Sequence, residues 1–148
     1  MCVCVCVCVW VCVCVYVRVC SLRASLCVLI LTSGCLPFPA LLQLVVGDIA
    51  ALPFDDGAFV LVHDKGTYDA WRLGEQAHSA YAAEVGRVLC AGGVFVLSCV
   101  NWTPEELVTL FCDGGVFEKL TTLQGASFQF GGVTGHNVCT VVFKKVFA

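Results

Sequence analysis

Residues 58–67 read Ala58-Phe59-Val60-Leu61-Val62-His63-Asp64-Lys65-Gly66-Thr67. A short, nearly unbroken apolar run is the pattern of a strand buried on both faces, as in parallel sheets. This run stops abruptly at Asp64, Lys65, Gly66 and Thr67, which places a polar cluster at the carboxyl end of the strand. Two more runs end the same way. Leu41 to Val46 leads into Gly47-Asp48, and Val94 to Val100 leads into Asn101-Trp102-Thr103. Between them, Leu52-Pro53-Phe54-Asp55-Asp56-Gly57 has the composition of a turn. Residues 75–91 repeat Ala77, Tyr81, Val85, Val88 and Leu89 on one helical face, with Gly92-Gly93 as the expected stop. Thr103-Pro104-Glu105-Glu106 predicts a helix start: Thr103 can cap, Pro104 suits the first helical position, and Glu106 can close a capping box. A strand over 116–120, a Gly-rich loop over 127–135 with Phe128 and Phe130, and a long final strand over 137–146 complete the pattern. The last strand is expected to return antiparallel to the preceding one, as a hairpin on the sheet edge.

Strand, turn, strand, helix, strand, helix and hairpin is the second half of a doubly wound α/β sheet. Such sheets bind ligands beyond the carboxyl ends of their strands. Three polar clusters at strand ends would therefore line one edge, and that convergence is the main functional signal in the residues themselves. Asp48 can accept a hydrogen bond from an exocyclic amine or close its own turn, and Ile49 can pack on a ring. Asp64 can orient a cationic amine or simply satisfy its loop with Lys65. Trp102 can wall a pocket for a cation or a methylene chain, or fasten a helix to the sheet. His63, at the end of the apolar run, reads as a structural histidine, and His78 and His136 as surface residues.

The composition narrows the partners. Residues 41–148 hold all 11 acids and six of the eight bases, a net of 6 − 11 = −5. An acidic domain is a poor match for phosphate backbones, so nucleic acid is not an expected partner. Nine of the 13 cysteines lie at or before Cys35, and Cys90, Cys99, Cys112 and Cys139 stand singly among apolar residues. The latter read as small buried hydrophobes. No zinc-ligand spacing occurs, and glycine pairs without G-x-G-x-x-G spacing give no dinucleotide fingerprint.

From Val3 to Val19 every odd position is valine, and most even positions from Cys2 to Cys20 are cysteine. This is what a TG dinucleotide repeat yields when read in one frame. Residues 1–40 are accordingly expected to be a low-complexity tract and linker outside the domain formed by 41–148. The apolar run from Cys2 to Val17 is short for a membrane span and lacks a basic leader, so no membrane association is expected.

Three motifs point to a family. Asp64-Lys65-Gly66-Thr67-Tyr68-Asp69-Ala70 resembles the D-K-G-T-aromatic-D-A signature of seven-strand, S-adenosylmethionine-dependent protein-lysine methyltransferases. Ser98-Cys99-Val100-Asn101-Trp102-Thr103-Pro104-Glu105-Glu106-Leu107 and Phe128-Gln129-Phe130-Gly131-Gly132, followed by Val141-Val142-Phe143-Lys144-Lys145, resemble segments of the members that act on elongation factor 1-alpha. The similarity covers about residues 43 to 146. It implies a Rossmann-like class I methyltransferase sheet, here lacking the family's first strands, its glycine-rich loop and the ribose-binding acid. It implies S-adenosyl-L-methionine as cofactor and a protein substrate, elongation factor 1-alpha, in the cytoplasm or the nucleus.

By position, the resemblance implies that Asp48, Ile49 and Asp64 contact the cofactor. Asp64, Asn101 and Trp102 lie at the methyl-transfer point. Lys65, Gly66, Thr67, Trp102, Thr103 and Phe130 face the substrate. It leaves the strand over 41–46 without its usual neighbour, a gap that the Cys/Val tract can fill as a surrogate strand. The alternative function is a non-catalytic methyltransferase-like remnant that binds or regulates.

Overall fold

The computed structural model describes residues 10–16, 26–33, 41–75, 77–124, 129–130, 133–134 and 138–146. Seven strands form one mixed sheet: β1 (Trp10–Tyr16), β2 (Leu26–Ser33), β3 (Leu41–Gly47), β4 (Phe59–Lys65), β5 (Leu89–Cys99), β6 (Phe117–Gln124) and β9 (Cys139–Lys145). Their spatial order is β3-β2-β1-β4-β5-β9-β6. A separate two-stranded ribbon joins β7 (Gln129–Phe130) to β8 (Val133–Thr134). Among the described residues three helices complete the fold: α1 (Thr67–Leu73), α2 (His78–Val88) and α3 (Pro104–Cys112).

The strand β1 lies in the Cys/Val tract and stands beside β4. It pairs parallel with β4, and β2 pairs antiparallel with both β1 and β3. Two reversals restore direction, so β3 points the same way as β1, β4 and β5. The register makes this concrete. Val46 lies opposite Cys27, Cys27 opposite Tyr16, Tyr16 opposite Lys65, and Lys65 opposite Ser98. Gly47-Asp48, Gly66-Thr67 and Val100-Asn101 all follow this row on the same side of the sheet. The β3 end stands about 14 Å from the β4 end, three strand spacings away.

Several boundaries differ from expectation for identifiable reasons. The helix expected over 75–91 is α2, which ends at Val88. Leu89 is fully buried and already lies opposite Phe59, so β5 begins there and continues through Gly92-Gly93. Gly92 adopts φ 72°, a left-handed conformation that glycine takes readily, at the bulge where the β4–β5 register shifts between Leu89 and Val94. The final hairpin stands at the sheet edge as expected: β9 lies between β5 and β6, antiparallel to both, and β6 forms the rim. The helix α1 falls where the sequence reads as a loop, because seven residues are too few to display a periodicity.

The core is aromatic. Phe95 of β5, Phe143 of β9, Phe111 of α3, Phe117 of β6, Tyr81 of α2 and Tyr68 of α1 are all buried. Phe95 and Phe143 stack at 6.0 Å, and Phe111 lies 5.3 Å from Phe143 and 5.2 Å from Tyr68. Burying each such ring contributes roughly 2–3 kcal/mol, and aromatic pairing adds to it. The three helices thus pack on one sheet face around one cluster. The helix α3 starts as its sequence predicts, with Thr103 and Glu106 forming a capping box.

Candidate functional site

Asp64 ends β4 with its carboxylate turned inward and no exposed surface. Its Oδ1 accepts from the Thr67 backbone N–H at 2.8 Å, and Oδ2 accepts from the Tyr68 N–H at 3.1 Å. The hydroxyl of Tyr81 also donates to Oδ2. Gly66 makes this possible: at φ 81° it turns the chain from β4 straight into α1 while its own N–H bonds the Ser98 carbonyl at 3.0 Å. A side chain there would resist that conformation. Asp64 therefore supplies α1 with the cap that its first N–H groups need. Burial lifts the Asp64 carboxyl to about 6, and the Tyr81 and backbone donors oppose that rise. Burial likewise pushes the Tyr81 hydroxyl well up, reinforced by the Asp64 charge.

The β5 end is gripped from α1. Asp69, only 6 % exposed, accepts from Val100 N–H at 3.0 Å and Asn101 N–H at 3.4 Å. Trp102, half-buried, lies 5.6 Å from the ring of Tyr68, and the Arg72 guanidinium sits 5.8 Å over its face. Asn101 and Thr103 are exposed, as is Lys65. Thr67 is buried. Beneath this layer the Tyr68 hydroxyl meets His78 Nδ1 at 2.9 Å, and His78 Nε2 meets the Leu110 carbonyl at 2.9 Å. Since a carbonyl only accepts, Nε2 carries the proton and Tyr68 donates to Nδ1. Burial lowers the His78 pKa and lifts the Tyr68 hydroxyl to about 12. His78 is thus a bridging group within the fold, not the surface residue its sequence context indicates.

The β3 end is built differently. Asp48 is exposed, and its Oδ1 accepts from Ala50 N–H at 2.9 Å, two residues on. Ile49 is 3 % exposed and belongs to the core. Past this turn the chain is held from α2. Leu52 N–H donates to Glu84 at 2.6 Å, and Arg87 donates to the Leu52 carbonyl at 3.0 Å and the Phe54 carbonyl at 2.7 Å. Arg87 also pairs with Glu84 and Asp56, each at 2.7 Å. The Arg87 hydrogen bonds hold the Glu84 carboxyl below its ordinary value.

The structure therefore gathers Asp48, Gly66, Thr67, Asn101, Trp102 and Thr103 along one sheet edge, with Asp64 directly beneath. Phe130 sits in β7 opposite Val133, and its side chain, like Phe128, lies outside the described residues. Three important groups went unseen in the sequence: Asp69, Tyr81 and the Glu84–Arg87 pair. Only the last has a local signal, an acid and a base three apart on a helix. Cys90, Cys99, Cys112 and Cys139 are free thiols; burial raises the pKa of Cys99, Cys112 and Cys139. Among the described residues no cluster fit for a metal occurs, and no helix is long and apolar enough to cross a membrane.

The donor set suits one end of a nucleoside cofactor. Asp48 is exposed and can accept from an exocyclic amine, whereas Ile49, expected to pack on a ring, is buried in the core and does not offer that contact. Residues 17–25, which follow β1, contain neither glycine nor acid, and residues 34–40, which follow β2, contain no acid. The elements that would hold a sugar and an amino-acid tail have no counterpart there.

No family profile matches the chain. It is 36 % identical over 109 residues to EEF1A lysine methyltransferase 2 of Homo sapiens, covering 71 % of this chain and 45 % of that protein. Against EEF1A lysine methyltransferase 2 of Danio rerio it is 41 % identical over 86 residues, covering 55 % and 36 %. Against protein-lysine N-methyltransferase EFM4 of Saccharomyces cerevisiae it is 33 % identical over 105 residues, covering 66 % and 45 %. The chain spans less than half the length of these curated relatives. Among solved structures, a SAM-dependent methyltransferase of Methanosarcina mazei superposes with TM-score 0.54 at 17 % identity, over 69 % of this chain and 66 % of that one. The 1,6-didemethyltoxoflavin-N1-methyltransferase of Burkholderia thailandensis, solved with S-adenosylhomocysteine, gives TM-score 0.54 at 16 % identity, over 70 % and 50 %. At these identities the likeness speaks for the fold alone. By fold the chain is a Rossmann-like class I methyltransferase sheet, and by sequence its C-terminal part resembles the EEF1A lysine methyltransferase 2 and EFM4 proteins.

Proposed function

We propose that the chain carries the adenine edge and the lysine side of an S-adenosylmethionine-dependent protein-lysine N-methyltransferase acting on elongation factor 1-alpha. The observation that carries this is the alignment of three strand-end clusters on one edge, read together with the protein-lysine methyltransferase relatives. Asp48 is the acceptor for the adenine amine. Asn101 and Trp102 form the transfer point, with Lys65, Gly66, Thr103 and Phe130 around the substrate, while Asp64 and Thr67, expected at the cofactor and the substrate, are buried beneath them and support the turn. When bound, the cofactor supplies an electrophilic methyl group, and a neutral lysine amine is the nucleophile.

The chain's own contribution is positioning and exclusion of water. Asp64 spends its acceptors on Thr67, Tyr68 and Tyr81, so its part is to hold the Gly66-Thr67 turn in place. The half-buried Trp102 presents an aromatic edge to the methylene stem of a lysine, and Asn101 offers a carboxamide beside it.

Two measurements on the purified chain test this. Calorimetric titration with S-adenosylmethionine should give saturable heat, and incubation with elongation factor 1-alpha should add methyl groups to a lysine, read by mass spectrometry. A folded chain that gives no heat and transfers no methyl group overturns the enzyme reading and leaves the non-catalytic remnant.

A further inference from the structure

The helix α1 holds the loop after β5 through three side chains on neighbouring turns. Tyr68 and Arg72, four apart, lie on one face of the helix, and both meet Trp102, at 5.6 Å and 5.8 Å. Asp69, between them, takes the backbone N–H groups of Val100 and Asn101 at 3.0 and 3.4 Å. Those two N–H groups lie just past the last β5–β9 pair, Cys99 with Cys139, so the sheet ladder does not engage them. A carboxylate is well suited to this task, because it offers an acceptor oxygen to each donor and strengthens both bonds by its charge. The helix is itself fixed by Asp64 at its first two N–H groups. Rigid connections thus run from the end of β4 through α1 to Asn101 and Trp102.

Resting on the function proposed above, we infer that Asp69 is a positioning residue that sets where Asn101 and Trp102 stand and so governs capture of the substrate lysine. It touches no substrate itself. Removing one acceptor frees the loop, so the protein substrate binds less well while the cofactor edge at Asp48, built on a different strand, is undisturbed.

The test compares wild type with Asp69→Asn, which keeps one acceptor oxygen and loses the second. KM for elongation factor 1-alpha should rise about tenfold, with kcat and S-adenosylmethionine affinity little changed. Val100→Pro deletes the donor from the opposite side while leaving Asp69 intact, and it should reproduce the KM effect. This second variant also guards against a fold defect in the first. A third readout needs no activity. The Val100 and Asn101 amide proton resonances should move upfield in Asp69→Asn, and the Trp102 indole resonance should shift with them. Unchanged amides and indole, or a loss in kcat with KM preserved, would overturn the inference. A folded wild-type chain that neither binds cofactor nor transfers a methyl group overturns the function proposed above, and Asp69 is then judged on the amides and the indole alone.

Discussion

At the end of β3, Asp48 bonds an N–H two residues along its own chain, whereas at the end of β4, Asp64 gathers donors from α1 and α2. The first carboxylate is exposed and local; the second is buried and ties three elements together. The β5 end resembles the β4 end, since Asp69 reaches loop residues 31 and 32 positions away. The two sides of one candidate site are therefore stabilised by different means. The β4–β5 side is fixed by buried acceptors that fold with the core, where losing a partner is expensive. The β3 side is a turn restrained from below by Glu84 and Arg87, leaving Asp48 itself available. A site meant to hold a mobile protein side chain on one side and a small ligand on the other can use both kinds of construction.

The sharpest way to break this contrast is Asp64→Ala. It strips the cap from α1 and leaves the buried Tyr81 hydroxyl without its acceptor, so a loss of about 3 kcal/mol or more is expected in urea unfolding. A loss below about 1 kcal/mol would put Asp64 in the same class as Asp48.

Acidity gives the next effect. The Asp64 carboxyl moves from an ordinary 3.8 to about 6 in the folded chain. Between those values the folded protein binds a proton that the unfolded chain has released. The stability gained from that proton is complete below about 3.8 and is lost as pH rises through about 6. Burial lowers the pKa of His63 and His78, and this works the other way, weakening the fold as pH drops below their ordinary 6.5. Subtracting the curve of Asp64→Asn isolates the first contribution. Wild type minus Asp64→Asn in unfolding free energy should rise by roughly 2–3 kcal/mol between about pH 7 and pH 4. A flat difference would mean that Asp64 ionises normally inside the fold.

Arg87→Ala should cost less, about 1 kcal/mol, because the guanidinium is partly exposed and solvent screens its ion pairs. Its larger signature should be local, as faster proteolysis and amide exchange over residues 48–57. Arg87→Lys should recover little, since an ammonium cannot serve two carbonyls and two carboxylates in the fixed directions of a fork. The smallest structural effect belongs to Asp48→Ala, under about 0.5 kcal/mol. Its effect on S-adenosylmethionine binding, by contrast, should be about tenfold weaker affinity, equivalent to one lost hydrogen bond. Unfolding and titration curves on the same preparation separate the two.

How much of this can be read from the sequence depends on range. The strands β4 and β9, the start of α3 and the polar strand ends follow from runs and caps within a few residues. The helix α1 is invisible because its cap is a side chain at the end of a strand, and its length shows no period. Asp69 reads as one more polar residue of a motif until β5 is placed beside α1. His78 carries no sign that Tyr68 and Leu110 will enclose it. The limits of α2 and β5 are not legible at Gly92-Gly93, where glycine has the signature of a stop but forms a bulge within the strand. In each case the deciding contact lies beyond the window that a periodicity can report.

The direction of β3 has a consequence of its own. It matches β4 only because the chain doubles back an even number of times on the way. Removing either member of the β1–β2 pair would leave an odd count and send the end of β3 to the far rim of the sheet. Asp48 would then lie a full strand length, roughly 20 Å, from Asn101. Parity, a property of the path and not of any contact, decides whether the two halves of this candidate site can meet.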